Sequence, residues 1–165
     1  MRRRSEVLAE RIEQGARRLE ELTRSLTDAQ WRTTVSPDGR TVGVIIHHVA
    51  NMYPIEIQLA TELTRGNPIA GVTWAAVADI NAKHAQEHAT ATKDDAIELL
   101  RQNSRAAAEA VRKFTDEELD RAAPVSLNAD APLTAQFFIE DHALRHAWHH
   151  HAKITSALQL SPVAQ

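Results

Sequence analysis

Apolar residues recur at three- and four-residue intervals along most of this chain, and that rhythm constrains its fold more than any other feature. Between Ser5 and Leu26 they fall at Leu8, Ile12, Ala16, Leu19, Leu22 and Leu26, one flank of a helix that turns about 100° per residue. Arg and Glu fill the opposite, solvated flank. A second stretch, Val42 to about Arg65, gathers Val44, Ile45, His48, Met52, Ile55, Leu59 and Leu63 on one face, with His47 about 100° off it. A third, Thr92 to Phe114, aligns Ile97, Leu100, Ser104, Ala107, Val111 and Phe114, and a fourth runs from Leu133 to about Leu158. No segment shows convincing strand character, since Val125-Ser126-Leu127 is too short to support one. The expectation is an all-α, up-and-down-type four-helix bundle with short extra helical turns in its connections.

The punctuation agrees with that reading. Thr27-Asp28-Ala29-Gln30 and Thr115-Asp116-Glu117-Glu118 have capping-box spacing and open short turns. Ser36-Pro37-Asp38-Gly39 is a turn, after which Thr41 is the expected N-cap of the second long helix. Pro54 lies inside that helix, cannot donate to the carbonyl of Ala50, and is expected to kink it about a turn beyond His48. Gly66-Asn67-Pro68 ends it. Gly71 to Ala91 reads as a less regular connection containing a helical piece, WAAVADINAKHAQEH, and Pro124 to Pro132 reads as loop.

With 165 residues, one domain spanning 1–165 is expected, large enough to bury a core without disulfides. The absence of cysteine excludes thiolate metal sites and a cysteine nucleophile, so any metal must be held by His, Asp or Glu. A net charge of −3 gives no basic field to attract nucleic acid. The basic opening MRRR is followed by polar SEVLAERIEQ rather than a signal-peptide core, and no apolar run approaches the ~20 residues of a membrane span. A cytoplasmic protein with neither a membrane nor a nucleic acid as partner is the expectation.

Five of the nine histidines lie between Phe137 and Ile154, in FFIEDHALRHAWHHHAKI. His142, His146 and His150 step about 40° apart on a helix and share an inward stripe with Ile139, Ala143, Ile154 and Ala157, with His149 near its edge and His151 turned away. Buried imidazoles need partners, and a divalent metal is one that satisfies several together; hydrogen bonds to carbonyls or carboxylates are the other. The candidate centre joins His48 to the i, i+4 pair His146 and His150, three ligands that leave room for water or substrate. His142 is open between a fourth ligand, a residue behind the ligands and a core residue. His84-Ala85-Gln86-Glu87-His88 matches H-x-x-E-H, the inverted zincin signature, in a polar, alanine-rich segment. A ferritin-like dinuclear site ranks below the mononuclear one, because Glu140 and Asp141, the nearby acids on the last helix, point away from the histidine stripe. Trp31, Trp74 and Trp148 read as core or interface residues, and Trp148 offers a candidate dimer contact.

The run TVGVIIHHVANM resembles the second-helix signature of DinB-like proteins, which share their fold with the N-terminal part of mycothiol-dependent maleylpyruvate isomerase. RLEELTRSLTDAQW and KFTDEELDR are similar to that family's inter-helix stretches, and HALRHAWHHHAKI to its last-helix histidine motif. The resemblance runs over nearly the whole chain in the family's helical order. It implies a four-helix bundle, a divalent metal (zinc or nickel) on His48, His146 and His150, frequent homodimers, and in characterised members transferases or isomerases using a low-molecular-weight thiol such as mycothiol or bacillithiol. The chain departs from the pattern at His151-Ala152-Lys153, where the family often has Arg-Gly-Gln, and at Val44, where it often has an acid. The functional expectations are therefore a metal- and thiol-dependent S-transferase or isomerase acting on an electrophile, or a non-enzymatic, metal-stabilised bundle serving a stress-related binding role. An H-x-x-E-H metallopeptidase is a remote third.

Overall fold

The structure is a computed structural model that describes residues 3–160, so the first two residues of MRRR and both ends of the 1–165 span lie outside it. Four long helices form the bundle: α1 (Arg4–Ser25), α3 (Val42–Thr64), α5 (Lys93–Val111) and the last helix, built from α7 (Ala135–Ile139) and α8 (Arg145–Ala157). Shorter helices α2 (Asp28–Trp31), α4 (Trp74–Glu87) and α6 (Asp116–Asp120) occupy the connections. Thr41, Thr73 and Thr92 cap α3, α4 and α5, each side-chain oxygen accepting a first-turn N–H. Thr27 and Thr115 close the two capping boxes with Gln30 and Glu118.

The ion pairs give the helix directions. Arg112 at the end of α5 bridges Glu6 and Glu13 near the start of α1, and Arg101 holds Glu20, so α1 and α5 are antiparallel. Glu56 meets His146 and His48 lies against His150, so α3 and α8 are antiparallel. By contrast α3 and α5 run parallel: Trp31 beside Gly43 donates to the carbonyl of Ala91 at one end, and Arg121 donates to the carbonyl of Thr64 at the other. A parallel pair cannot be joined by a tight turn, so the chain climbs back along the bundle between them, and α4 is that return.

The core is continuous, from Leu8, Ile12 and Leu19 on α1 through Ile45, Ile46, Val49, Tyr53 and Leu63 on α3 to Leu100 and Val111 on α5 and Phe138, Ile139 and Ile154 on the last helix. Gly43 is required where Trp31 lies on α3, because a Cβ there would sit 2.5 Å from the indole. Pro54 is inside α3 as expected, and the Ala50 carbonyl it leaves free accepts from Asn103 Nδ2 on α5 at 2.9 Å.

Three expectations need correction. The Pro124–Pro132 loop is a hairpin, β1 (Ala122–Val125) pairing antiparallel with β2 (Ala131–Thr134) in the register Ala122↔Thr134 to Val125↔Ala131. Pro124 and Pro132 face each other in it and can give no N–H to the ladder, which is why neither strand stands out in the sequence. The last helix starts at Ala135 rather than Leu133, and it is interrupted by a π-helical turn, Glu140–Leu144. That turn takes five residues per hydrogen-bonded ring instead of four, so His142 loses phase with His146 and His150. Trp74 is 64% exposed, so it is not core; its indole N–H is held by the Leu127 carbonyl beside the cleft described below.

Candidate metal centre

His48, His146 and His150 meet. Each presents a ring nitrogen within 4.8 Å of the others, and the ring of His48 lies 5.0 Å from that of His146 and 6.0 Å from that of His150. His48 and His150 are buried and His146 half-buried. The i, i+4 spacing on α8 stacks the pair, and α3 supplies the third imidazole from across the helix interface. These three residues could hold a metal ion.

Behind His146 stands Glu56, one of the buried charged residues. Its Oε1 lies 2.9 Å from His146 Nδ1, which directs the opposite ring nitrogen, Nε2, away from the carboxylate. A carboxylate that receives the far N–H of a histidine fixes its tautomer and orientation, the usual support for a metal-ligating imidazole. The other carboxylate oxygen of Glu56 and Nδ1 of His150 are buried without a hydrogen-bond partner. Such atoms are expensive to leave unpaired, and a cation in the cluster is the kind of group that compensates them. Burial, then the neighbouring imidazole of His146, holds His48 far below its ordinary value; the same causes in the same order bring His150 down to about 3. Both are neutral bases at physiological pH, with lone pairs available.

His142 does not join the cluster. Its ring stacks on Phe138 at 4.2 Å, and burial lowers its proton affinity. It lines the adjoining cleft, a cavity of about 470 Å³ bounded by Met52, Ile55 and Leu59 of α3, Trp74, Val77 and Ile80 of α4, and His146 and His150. Ile55, expected to face the core, is 41% exposed on this wall. Arg40 reaches the cleft from the Ser36–Gly39 turn. Its Nε and one terminal nitrogen donate to Asp38 at 2.6 and 2.8 Å, while its other terminal nitrogen is buried without a partner. The Arg40 hydrogen bonds hold the Asp38 carboxyl well below the usual carboxylate range.

A second gathering of histidines joins the His84 and His88 of the H-x-x-E-H segment to His47, which the sequence did not single out. His47, the residue about 100° off the apolar face of α3, is buried and meets His84 and His88 of α4, again with ring nitrogens within 4.8 Å of one another. Glu87, the carboxylate an inverted zincin would need as base, is instead on the solvent side, 3.7 Å from Lys83. Trp148, offered as a dimer contact, packs its indole over Gly15 of α1 and remains partly exposed. No helix among the described residues is long and apolar enough to cross a membrane.

Comparison with known proteins places this arrangement. Among solved structures the chain is similar to YfiT from Bacillus subtilis, described as "a probable metal-dependent hydrolase with an unusual four-helix bundle topology", at 21% identity and TM-score 0.67 over 95% of this chain and 85% of that one. It is similar to a mycothiol-dependent maleylpyruvate isomerase at 14% identity and TM-score 0.68, covering 91% of this chain but only 60% of that one. It is also similar to the colibactin self-resistance protein ClbS, solved with a dsDNA, at 12% identity and TM-score 0.71 over 95% of this chain and 96% of that one. At such identities the likeness is one of fold. No curated protein matches the chain. The family model described as DinB superfamily matches residues 11–154, nearly the whole bundle and all three histidines of the first cluster; the chain belongs to the DinB superfamily.

Proposed function

We propose that this protein binds a divalent metal through His48, His146 and His150 and uses it, with a low-molecular-weight thiol as cosubstrate, for S-transfer to or isomerisation of an electrophile held in the adjoining cleft. The observation that carries the reading is the convergence of three imidazoles, one of them backed by a buried carboxylate, at the wall of an open cavity. Imidazole donors suit zinc and nickel, and such an ion bound there would supply the Lewis acidity that acidifies a thiol entering the site.

The chain's own residues divide the remaining work. Glu56 orients His146 and balances positive charge at the centre. Arg40, with two of its nitrogens committed to Asp38, has one left to bind a carboxylate or similar anionic group on the substrate or thiol. Met52, Ile55, Leu59, Val77 and Ile80 offer an apolar wall for a carbon skeleton. In transfer, the thiol sulfur forms a bond to the electrophilic carbon as the leaving group departs, and the thiol proton passes to water at the open mouth.

The test uses tag-free protein, elemental analysis, and turnover of an activated aryl chloride with mycothiol or bacillithiol. Metal-dependent chloride release, lost in His146→Ala together with the metal, is the expected result. Metal that raises the melting temperature while no thiol adduct forms with any electrophile tried would favour the binding-protein reading instead.

A further inference from the structure

The second histidine cluster abuts the centre just described, the ring of His84 lying 5.5 Å from that of His48, but it shares no residue with it. His47 Nδ1 lies 2.9 Å from His84 Nε2, the rings of His47 and His88 stack at 4.1 Å, and those of His84 and His88 are 4.6 Å apart. His47 and His84 are buried and His88 half-buried. Among the described residues no carboxylate hydrogen-bonds to any of the three. Asp95, the acid whose charge His47 feels, is engaged by the hydroxyl of Thr92, and Glu87 faces Lys83. The single hydrogen bond between His47 and His84 leaves Nδ1 of His84 buried with no hydrogen-bond partner among the described residues.

Three imidazoles packed together without an acid are poorly compensated by one another. They offer ring nitrogens from two helices, in an i, i+4 pair plus one, the same construction as the first cluster.

The position adds a structural reason for a ligand. Among the residues of α4, His84 alone is buried. Otherwise the helix shows solvent Trp74 and Ile80, 64% and 54% exposed, and is tied at its start by the Trp74 indole and by a bond between Val72 and Ser126. A 14-residue helix with so little apolar burial gains little from packing. Yet it forms one wall of the cleft.

We propose that His47, His84 and His88 form a second divalent-cation site, separate from the first, which fastens the C-terminal end of α4 to α3 and so holds that wall of the cleft in place. The ion is of the borderline class that imidazole prefers, zinc, nickel or copper rather than magnesium or calcium. This site does not require the first to be loaded.

The experiment titrates Zn²⁺ into the tag-free, chelator-stripped full chain, counting bound ions by calorimetry and elemental analysis and following amide exchange in α4. Wild type should take two ions, and His84→Ala and His88→Ala one each. His150→Ala should also keep one, and in it zinc should slow exchange across α4 at least tenfold, an effect absent from the His84 and His88 variants. His88 is half-exposed, so its replacement keeps the test sound if the loss of buried His84 disturbs folding. Two ions persisting in both the His84 and His88 variants overturns the proposal. So does a single ion in wild type that vanishes in His150→Ala. A single ion that vanishes in His84→Ala but survives in His150→Ala upholds this site and refutes the one assigned under the proposed function.

Discussion

Replacing Glu56 by Gln should move metal affinity and metal-free stability in different directions. Glu56 is 6% exposed, and its Oε1 is 2.9 Å from His146 Nδ1, while its other oxygen has no partner. Losing such a partner of a ligating histidine weakens metal binding by about 10- to 100-fold, or roughly 1.4–2.8 kcal/mol at 1.4 kcal/mol per decade. Glutamine retains an oxygen that accepts from Nδ1, so the loss should lie near tenfold; leucine, which retains nothing, should approach a hundredfold. Without metal the sign changes. An incompletely paired buried carboxylate costs more than a buried amide in the same place, so chelator-treated Glu56→Gln should melt no lower than wild type. The assay is competition for Zn²⁺ against a chromophoric chelator, alongside thermal melts of the stripped proteins. An affinity unchanged within twofold, or a metal-free melting temperature that falls in step with affinity, refutes the reasoning.

Asn103→Ala removes the donor that satisfies the Ala50 carbonyl released by Pro54, so it should destabilise by about 1–3 kcal/mol. In a chain of this size that corresponds to a melting temperature lower by roughly 2–4 °C per kcal/mol. Gly43→Ala drives a methyl into the Trp31 indole at 2.5 Å; urea unfolding should show a loss of about 1–3 kcal/mol, with a red-shifted tryptophan emission as the ring is displaced. His48, His84 and His150 have proton affinities depressed from an ordinary value of 6.5, the last two to about 4 and 3. The unfolded chain therefore binds more protons, and metal-free stability present above pH 6.5 should fall as pH drops toward 3–4, seen as a decreasing urea midpoint. A midpoint that rises with acidification would contradict the burial of these rings.

What spacing along a helix reveals, and what it hides, can be read from individual residues. The long helices, their threonine caps and the convergence of His48 with His146 and His150 were legible because each depends on local period or on a face repeated over several turns. His47 was not, because a single-face reading assumes one covered flank, whereas Val42 through Ala50 of α3 are all buried, with α4 closing the side on which His47 lies. Glu56 is not marked by the histidine helix, because the acid that meets His146 comes from the facing helix, two turns beyond His48. The π-helical turn leaves no mark in the apolar spacing, so His142 looks in register with His146 when it is not. Arg40 becomes visible only when Asp38 folds back to hold it.

The parallel course of α3 and α5 has a consequence for how the cleft can vary. The segment forced to travel back between them carries Trp74, Val77, Ile80 and Asn81 on the cleft while giving the bundle interior almost nothing. Side chains on that segment are free to be exchanged for larger, smaller or charged ones without disturbing the four helices that keep the imidazoles together. The cleft wall and the folded bundle thus depend on different parts of the chain, and a library confined to residues 74–81 should yield reshaped clefts among proteins that nearly all still fold.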